Sequence, residues 1–95
     1  MPAELLLKQK LALSESSFVE MVIWQLSAPL AGSTHTFKFR FAYVVNAACV
    51  LRFDNQAGKG NHYHHYDQEF EYHFVNTDQL IDDFFAMVNE MESLR

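Results

Sequence analysis

The chain has 95 residues, 49% of them hydrophobic and 15% aromatic, with a formal net charge of -5 at pH 7 when histidine is neutral. A chain of this length forms one domain that buries only about 60 to 65% of its unfolded surface, and its apolar content excludes a disordered polymer. No run approaches the ~18 apolar residues of a membrane-spanning helix, and the acidic balance speaks against nucleic acid unless the charges are unevenly placed.

A lone cysteine, Cys49, rules out an intrachain disulfide and fits a reducing cytoplasm. Set in an apolar run, it is expected to be a small core residue. The start, Met1-Pro2-Ala3-Glu4, mixes Leu with Lys and Gln within ten residues and has no basic head followed by an apolar block, so no signal peptide is expected.

Residues 4 to 13 put Leu5, Leu7, Leu11 and Leu13 on one parity and Glu4, Leu6, Lys8 and Lys10 on the other, a strand pattern. A polar turn at 14 to 17 leads to residues 18 to 26, β-branched and aromatic, which predict a second strand buried on much of both faces. The segment 27 to 34 carries Pro29 and Gly32 as breakers and has the length of a flexible flap. Residues 36 to 45 alternate most clearly, with Phe37, Phe39, Phe41, Tyr43 and Val45 inward and Lys38 and Arg40 outward. After a tight turn at Asn46-Ala47 the fourth strand sets Cys49, Leu51 and Phe53 against Val50, Arg52 and Asp54.

Between that strand and the next lies Asp54-Asn55-Gln56-Ala57-Gly58-Lys59-Gly60-Asn61-His62-Tyr63-His64-His65, the chain's densest collection of groups that titrate near neutral pH. Asp-Asn and Gly-Lys-Gly are ordinary hairpin punctuation. A turn, however, does not need His62, Tyr63, His64, His65 and Tyr66 in succession. Beyond it, Phe70, Tyr72 and Phe74 alternate with Glu69, Glu71 and His73 as a charged edge strand. From Asn76 the period becomes helical: an N-cap with Gln79 three residues on, then Leu80, Ile81, Phe84, Phe85, Val88 and Met91, with Asp78, Asp82, Asp83, Glu90 and Glu92 on the wet side. The expected fold is α+β, a single domain over 1–95: an antiparallel meander of four to five strands with one C-terminal amphipathic helix packed on one sheet face.

Strand parity also distributes the charge. Lys8, Lys10, Lys38, Arg40 and Arg52 all fall opposite the core, so a net-acidic protein presents a cationic sheet face suited to a polyanion. The bland alternative is that basic residues tile a solvated face and pair with Glu4 and Glu20. The histidine segment at the rim of this face suits three chemistries. Metal-independent RNA cleavage needs a base for the 2′-hydroxyl, an acid for the leaving oxygen and cations for the phosphate, roles that His62, His64, Lys59 and Arg40 supply, with backbone N–H groups of Gly58 to Gly60 as a phosphate cradle. A metal site would use His62, His64 and Asp54. Recognition without chemistry would stack Tyr63, Tyr66 and the imidazoles on bases. His35 and His65 are expected at the surface, and His73 in a strand without catalytic duty.

Three segments carry a resemblance to a known family: Glu20-Met21-Val22-Ile23-Trp24, then Phe39-Arg40-Phe41-Ala42-Tyr43-Val44-Val45, then Phe53-Asp54-Asn55 with Gly58-Lys59-Gly60-Asn61-His62-Tyr63-His64. Together they resemble the TumE family of bacterial toxin–antitoxin toxins, over nearly the full chain, although members usually carry Asp where this chain has Asn61. The resemblance implies a small cytoplasmic growth-inhibiting toxin, neutralised by a helix-turn-helix antitoxin. Joined to the residue chemistry, it gives a toxin acting on RNA as a metal-independent endoribonuclease, with no cofactor. His62, His64, Asp54 and Lys59 are its catalytic candidates; Arg40, Lys38, Arg52, Lys8, Lys10, Tyr63 and Asn55 are its substrate-binding candidates. The alternatives are a non-enzymatic module that inhibits growth by occupying nucleic acid or a partner, and a His/Asp metal-dependent hydrolase. An edge strand and a Phe-rich helix suit a homodimer or a bound antitoxin equally.

Overall fold

The computed structural model describes residues 3–56 and 58–95. Met1 and Pro2, where the expected absence of a leader was read, and Ala57, inside the histidine segment, lie outside the described residues. Six strands form one antiparallel sheet in sequence order: β1 (Glu4–Ala12), β2 (Ser17–Gln25), β3 (Phe37–Val45), β4 (Ala48–Gln56), β5 (Gly60–His65) and β6 (Gln68–Glu71). The helix α1 (Thr77–Ser93) follows. The α+β meander with a C-terminal helix is therefore present, with one strand more than the four to five expected.

The additional strand is the histidine segment itself. Its pairing runs from Gln56↔Gly60 to Leu51↔His65, so the second half of the expected loop is β5 and its first three residues end β4. Tyr63 explains why it pairs: its ring stacks on Phe53 of β4 and on Phe70 of β6, each at 5.0 Å between centroids. Such cross-strand aromatic contacts stabilise a sheet by roughly 0.5–1.5 kcal/mol each. The last strand is correspondingly short. It ends at Glu71, and Tyr72 and Phe74 turn back to pack on Phe53 and His35, which leaves His73 exposed beyond the sheet.

The core lies between one sheet face and α1. Val19, Met21, Ile23, Phe39, Phe41, Tyr43, Leu51 and Phe53 meet Leu80, Phe84 and Val88 of the helix. Phe84 sits edge-on to Phe41 at 5.2 Å and to Phe53 at 5.6 Å. Asn76 caps the helix as expected, its Oδ1 accepting from Gln79 N–H at 2.7 Å. Two of the acids assigned to the wet side instead turn inward. Asp83 accepts from the Tyr72 hydroxyl at 2.6 Å, and Glu92 accepts from the Tyr43 hydroxyl and from Arg95. Burial, then these hydrogen bonds, pushes Tyr43 up to about 12 and raises Tyr72 as well, whereas the Tyr43 hydroxyl and then Arg95 hold Glu92 below the usual carboxylate range.

Further expectations fail for local reasons. A bulge between Tyr43 and Val44 opposes Val44 to Cys49 and Tyr43 to Leu51, which turns Cys49 off the core face and leaves it exposed. A second irregularity between Leu5 and Leu7 breaks the leucine parity of β1, and Leu5, Leu6 and Leu11 of this edge strand stay exposed. The second strand buries one face only, with the other part-exposed or exposed. The segment 26–36 is no free flap. Ala31 C=O accepts from Gly58 N–H at 2.7 Å, and a Cβ on Gly32 would meet Gly60 N at 3.3 Å. This close backbone approach, with positive φ at all three glycines, gives Gly58 and Gly60 a structural use, and it takes the Gly58 N–H out of any phosphate cradle. His35 is part-buried rather than at the surface, because Nδ1 accepts from Phe37 N–H at 3.1 Å while Nε2 meets Asn61 Oδ1 at 2.7 Å.

Candidate active site

Residues directly opposite in antiparallel strands share a face, so the registers define rows across the sheet on the side away from α1. One row reads Lys8, Val22, Arg40, Asp54, His62, Glu71, and the next Lys10, Glu20, Ala42, Arg52, His64, Glu69. Lys38 lies on the same face beside Arg40, opposite Trp24. The face is divided by sign. Lysine and arginine occupy the β1, β3 and β4 side, with Glu20 and Asp54 among them, and Glu69 and Glu71 occupy the β6 side. His62 and His64 stand on the boundary.

The H-x-H spacing puts both imidazoles on one face because side chains in a strand repeat every second residue. Their ring centroids are 5.0 Å apart and nearly perpendicular. His62 is the buried member, with a side chain 7% exposed against 26% for His64. His62 Nε2 lies 2.6 Å from Asp54 Oδ1, and its Nδ1 lies 3.2 Å from the Gly60 carbonyl. Asp54 Oδ2 is 3.0 Å from Arg52 Nε. Glu69 Oε2 is 3.6 Å from Nε2 of both histidines. Asp54 Oδ1 and Arg52 Nε are shut off from solvent without an aligned hydrogen bond, so their short contacts are Coulombic rather than directed.

The site therefore holds one enclosed imidazole, whose Nδ1 meets a backbone carbonyl and whose Nε2 faces a carboxylate oxygen, and, 5.0 Å away, one accessible imidazole.

The structure brings Asp54, His62 and His64 together, with Arg52 in contact and Arg40 beside Asp54 in the register. Lys59 lies exposed in the β4–β5 turn. Lys8 and Lys10 sit two strands further across, Lys10 at 4.4 Å over the Phe18 ring. Among the described residues no ion pair engages Lys8, Lys10, Lys38, Arg40 or Lys59. Two candidates lie on the other side of the sheet. Asn55 is buried and bridges Phe39 N–H at 2.9 Å to the Phe37 carbonyl at 2.7 Å, and Tyr63 is held between Phe53 and Phe70. Glu69 was not singled out from the sequence. Its signal was the two-residue turn Tyr66-Asp67, which pairs His64 with Glu69.

A six-stranded antiparallel meander, backed by one helix and carrying an Asp–His–His cluster on its open face, defines a small α+β protein with a polar working surface. The model of the family described as Toxin TumE matches residues 2–92, so the chain belongs to the TumE toxin family, the toxins of a toxin–antitoxin system, and an antitoxin partner follows from that membership. Searches of curated proteins and of solved structures found no match. Among the described residues no helix is long and apolar enough to cross a membrane.

Proposed function

We propose that this toxin acts on RNA in the cytoplasm, cleaving it by metal-independent proton transfer at the Asp54–His62–His64 cluster. The observation that carries the reading is the pairing of one accessible imidazole with one enclosed and carboxylate-held imidazole at 5.0 Å, at the edge of a row of lysine and arginine. His64 takes the proton of a ribose 2′-hydroxyl. The oxygen attacks phosphorus, the P–O5′ bond breaks, and the leaving oxygen takes its proton from His62. The products are a 2′,3′-cyclic phosphate and a 5′-hydroxyl. Arg40, Lys38 and Arg52 hold the phosphate, with Lys59 at the rim, and Lys8 and Lys10 extend the track for the chain beyond it. Asp54 steadies the charged His62 ring. Asn55 and Tyr63 enter this reading as supports of β3 and β5. A helix-turn-helix antitoxin would silence the toxin by covering the open face.

The test is growth on induction. The His62→Ala/His64→Ala double variant, confirmed folded by circular dichroism, is expected to lose toxicity, since general acid and base groups contribute about 10²–10⁴-fold each. Undiminished toxicity of that folded protein would show that inhibition comes from occupancy of a partner or nucleic acid.

A further inference from the structure

We propose that Asp54, His62 and His64 form a binding site for a divalent transition-metal ion of the zinc class, with Glu69 as a fourth ligand. The claim shares its residues with the proposed function and does not depend on it.

Ligand atoms of Asp54, His62 and His64 all lie within 4.8 Å of one another. Two imidazoles and a carboxylate are the donors that borderline ions favour over Mg²⁺, which prefers oxygen. Bond lengths of about 2.0–2.1 Å to a tetrahedral ion imply donor separations of roughly 3.4 Å. The His62–Asp54 distance of 2.6 Å lies below that value and the 4.8 Å outer limit above it, while Glu69 Oε2 lies 3.6 Å from Nε2 of both histidines, so the donors surround one point that modest side-chain shifts would adapt to an ion.

Two further features point to a cation. Asp54 Oδ1 is buried without a directed hydrogen bond, although burying a carboxylate oxygen unsatisfied is costly. It faces His62, whose side chain is 93% buried and whose Nδ1 is engaged by the Gly60 carbonyl, which leaves Nε2 as the ligating nitrogen. That carbonyl and Arg52, at 3.0 Å from Asp54 Oδ2, orient the ligands as outer-shell groups do in metal sites. With Arg52 counted against the carboxylates of Asp54 and Glu69, the site keeps a net negative charge. A metal and the transferred proton compete for His62 Nε2, so the ion would act as an off-switch for acid–base chemistry here.

Calorimetric titration of the chelator-treated full chain with Zn²⁺ tests this, with Co²⁺ as a spectroscopic probe of tetrahedral geometry. One ion per chain is expected, indifferent to excess Mg²⁺. Affinity should fall by more than about 100-fold in His64→Ala and in the near-isosteric Asp54→Asn, and should be unchanged in His65→Ala and His73→Ala. Absence of saturable Zn²⁺ binding, or equal binding by the wild type and Asp54→Asn, would overturn the site. Saturating Zn²⁺ should suppress RNA cleavage. Zinc binding in a protein that cleaves nothing would sink the catalytic reading alone, and cleavage without zinc binding would sink the metal site alone.

Discussion

At the scale of single residues, the open face and the core make different demands on polar groups. Asn55 stitches β4 to β3 from inside, satisfying a backbone donor and a backbone acceptor that water does not reach. Asn55→Ala is therefore expected to cost about 2–4 kcal/mol in urea unfolding, through two unpaired backbone groups, while the Asp54 cluster on the other face stays intact. The β3–β4 turn makes the opposite kind of prediction. Asn46 and Ala47 both have positive φ, 50° and 67°, as a type I′ hairpin requires, yet Ala47 carries a Cβ that disfavours it. Ala47→Gly should stabilise the chain by about 0.5–1 kcal/mol in the same assay. Asp54, His62 and His64 stood out in the sequence as candidates because two imidazoles two residues apart follow a carboxylate closely, and the β4–β5 pairing brings the three together. Glu69 stayed hidden among the charges of an edge strand, and Asn55 looked like a site residue because a buried amide and an exposed one have the same letter.

At the scale of elements, period and parity carried most of the information, and bulges removed it. The meander and the helix follow from alternation giving way to 3.6-residue spacing, and the helix cap follows from Asn76 and Gln79. A single extra residue, Val50 of β4, reversed the face assigned to Cys49, and another, Leu6, reversed part of β1, since one inserted position flips the side chains beyond it. The clamp of segment 26–36 on the β4–β5 turn was not legible because backbone-to-backbone contact between glycines has no sequence period. The strap from α1 to the sheet has a pH consequence. Glu92 is depressed by the Tyr43 hydroxyl first and by Arg95 second, so its contribution is fully present above the ordinary carboxylate range and is lost as pH falls through its lowered value. Tyr43 is raised by burial first, so its contribution is present below its ordinary value and is lost as pH climbs through about 12. Thermal melts of Tyr43→Phe should therefore show a smaller stability loss than the wild type as pH falls from neutral through and below the ordinary carboxylate range, and also as pH climbs from about 10 to about 12.

At the scale of the whole molecule, a net charge of -5 conceals a sheet face divided between lysine and arginine on one side and glutamate on the other. Net charge alone would set the protein against nucleic acid, whereas the division leaves Lys38 and Arg40, which no ion pair engages among the described residues, on the same face as the histidines. Under the proposed function, RNA binding measured against salt should show a log–log slope that shrinks by about 1 for each of Lys38→Ala, Arg40→Ala and Lys8→Gln. The membership of the TumE family fixes the biological setting, and the face supplies the chemistry proposed for it. The central claim is that His64 and His62 move protons on RNA without a metal. Single-turnover cleavage of RNA by purified protein in excess EDTA tests it most directly. The account predicts products ending in 2′,3′-cyclic phosphate, at a rate that drops about 10²–10⁴-fold in His64→Ala, and an equal rate in that variant, or no cleavage by the wild type, would contradict it.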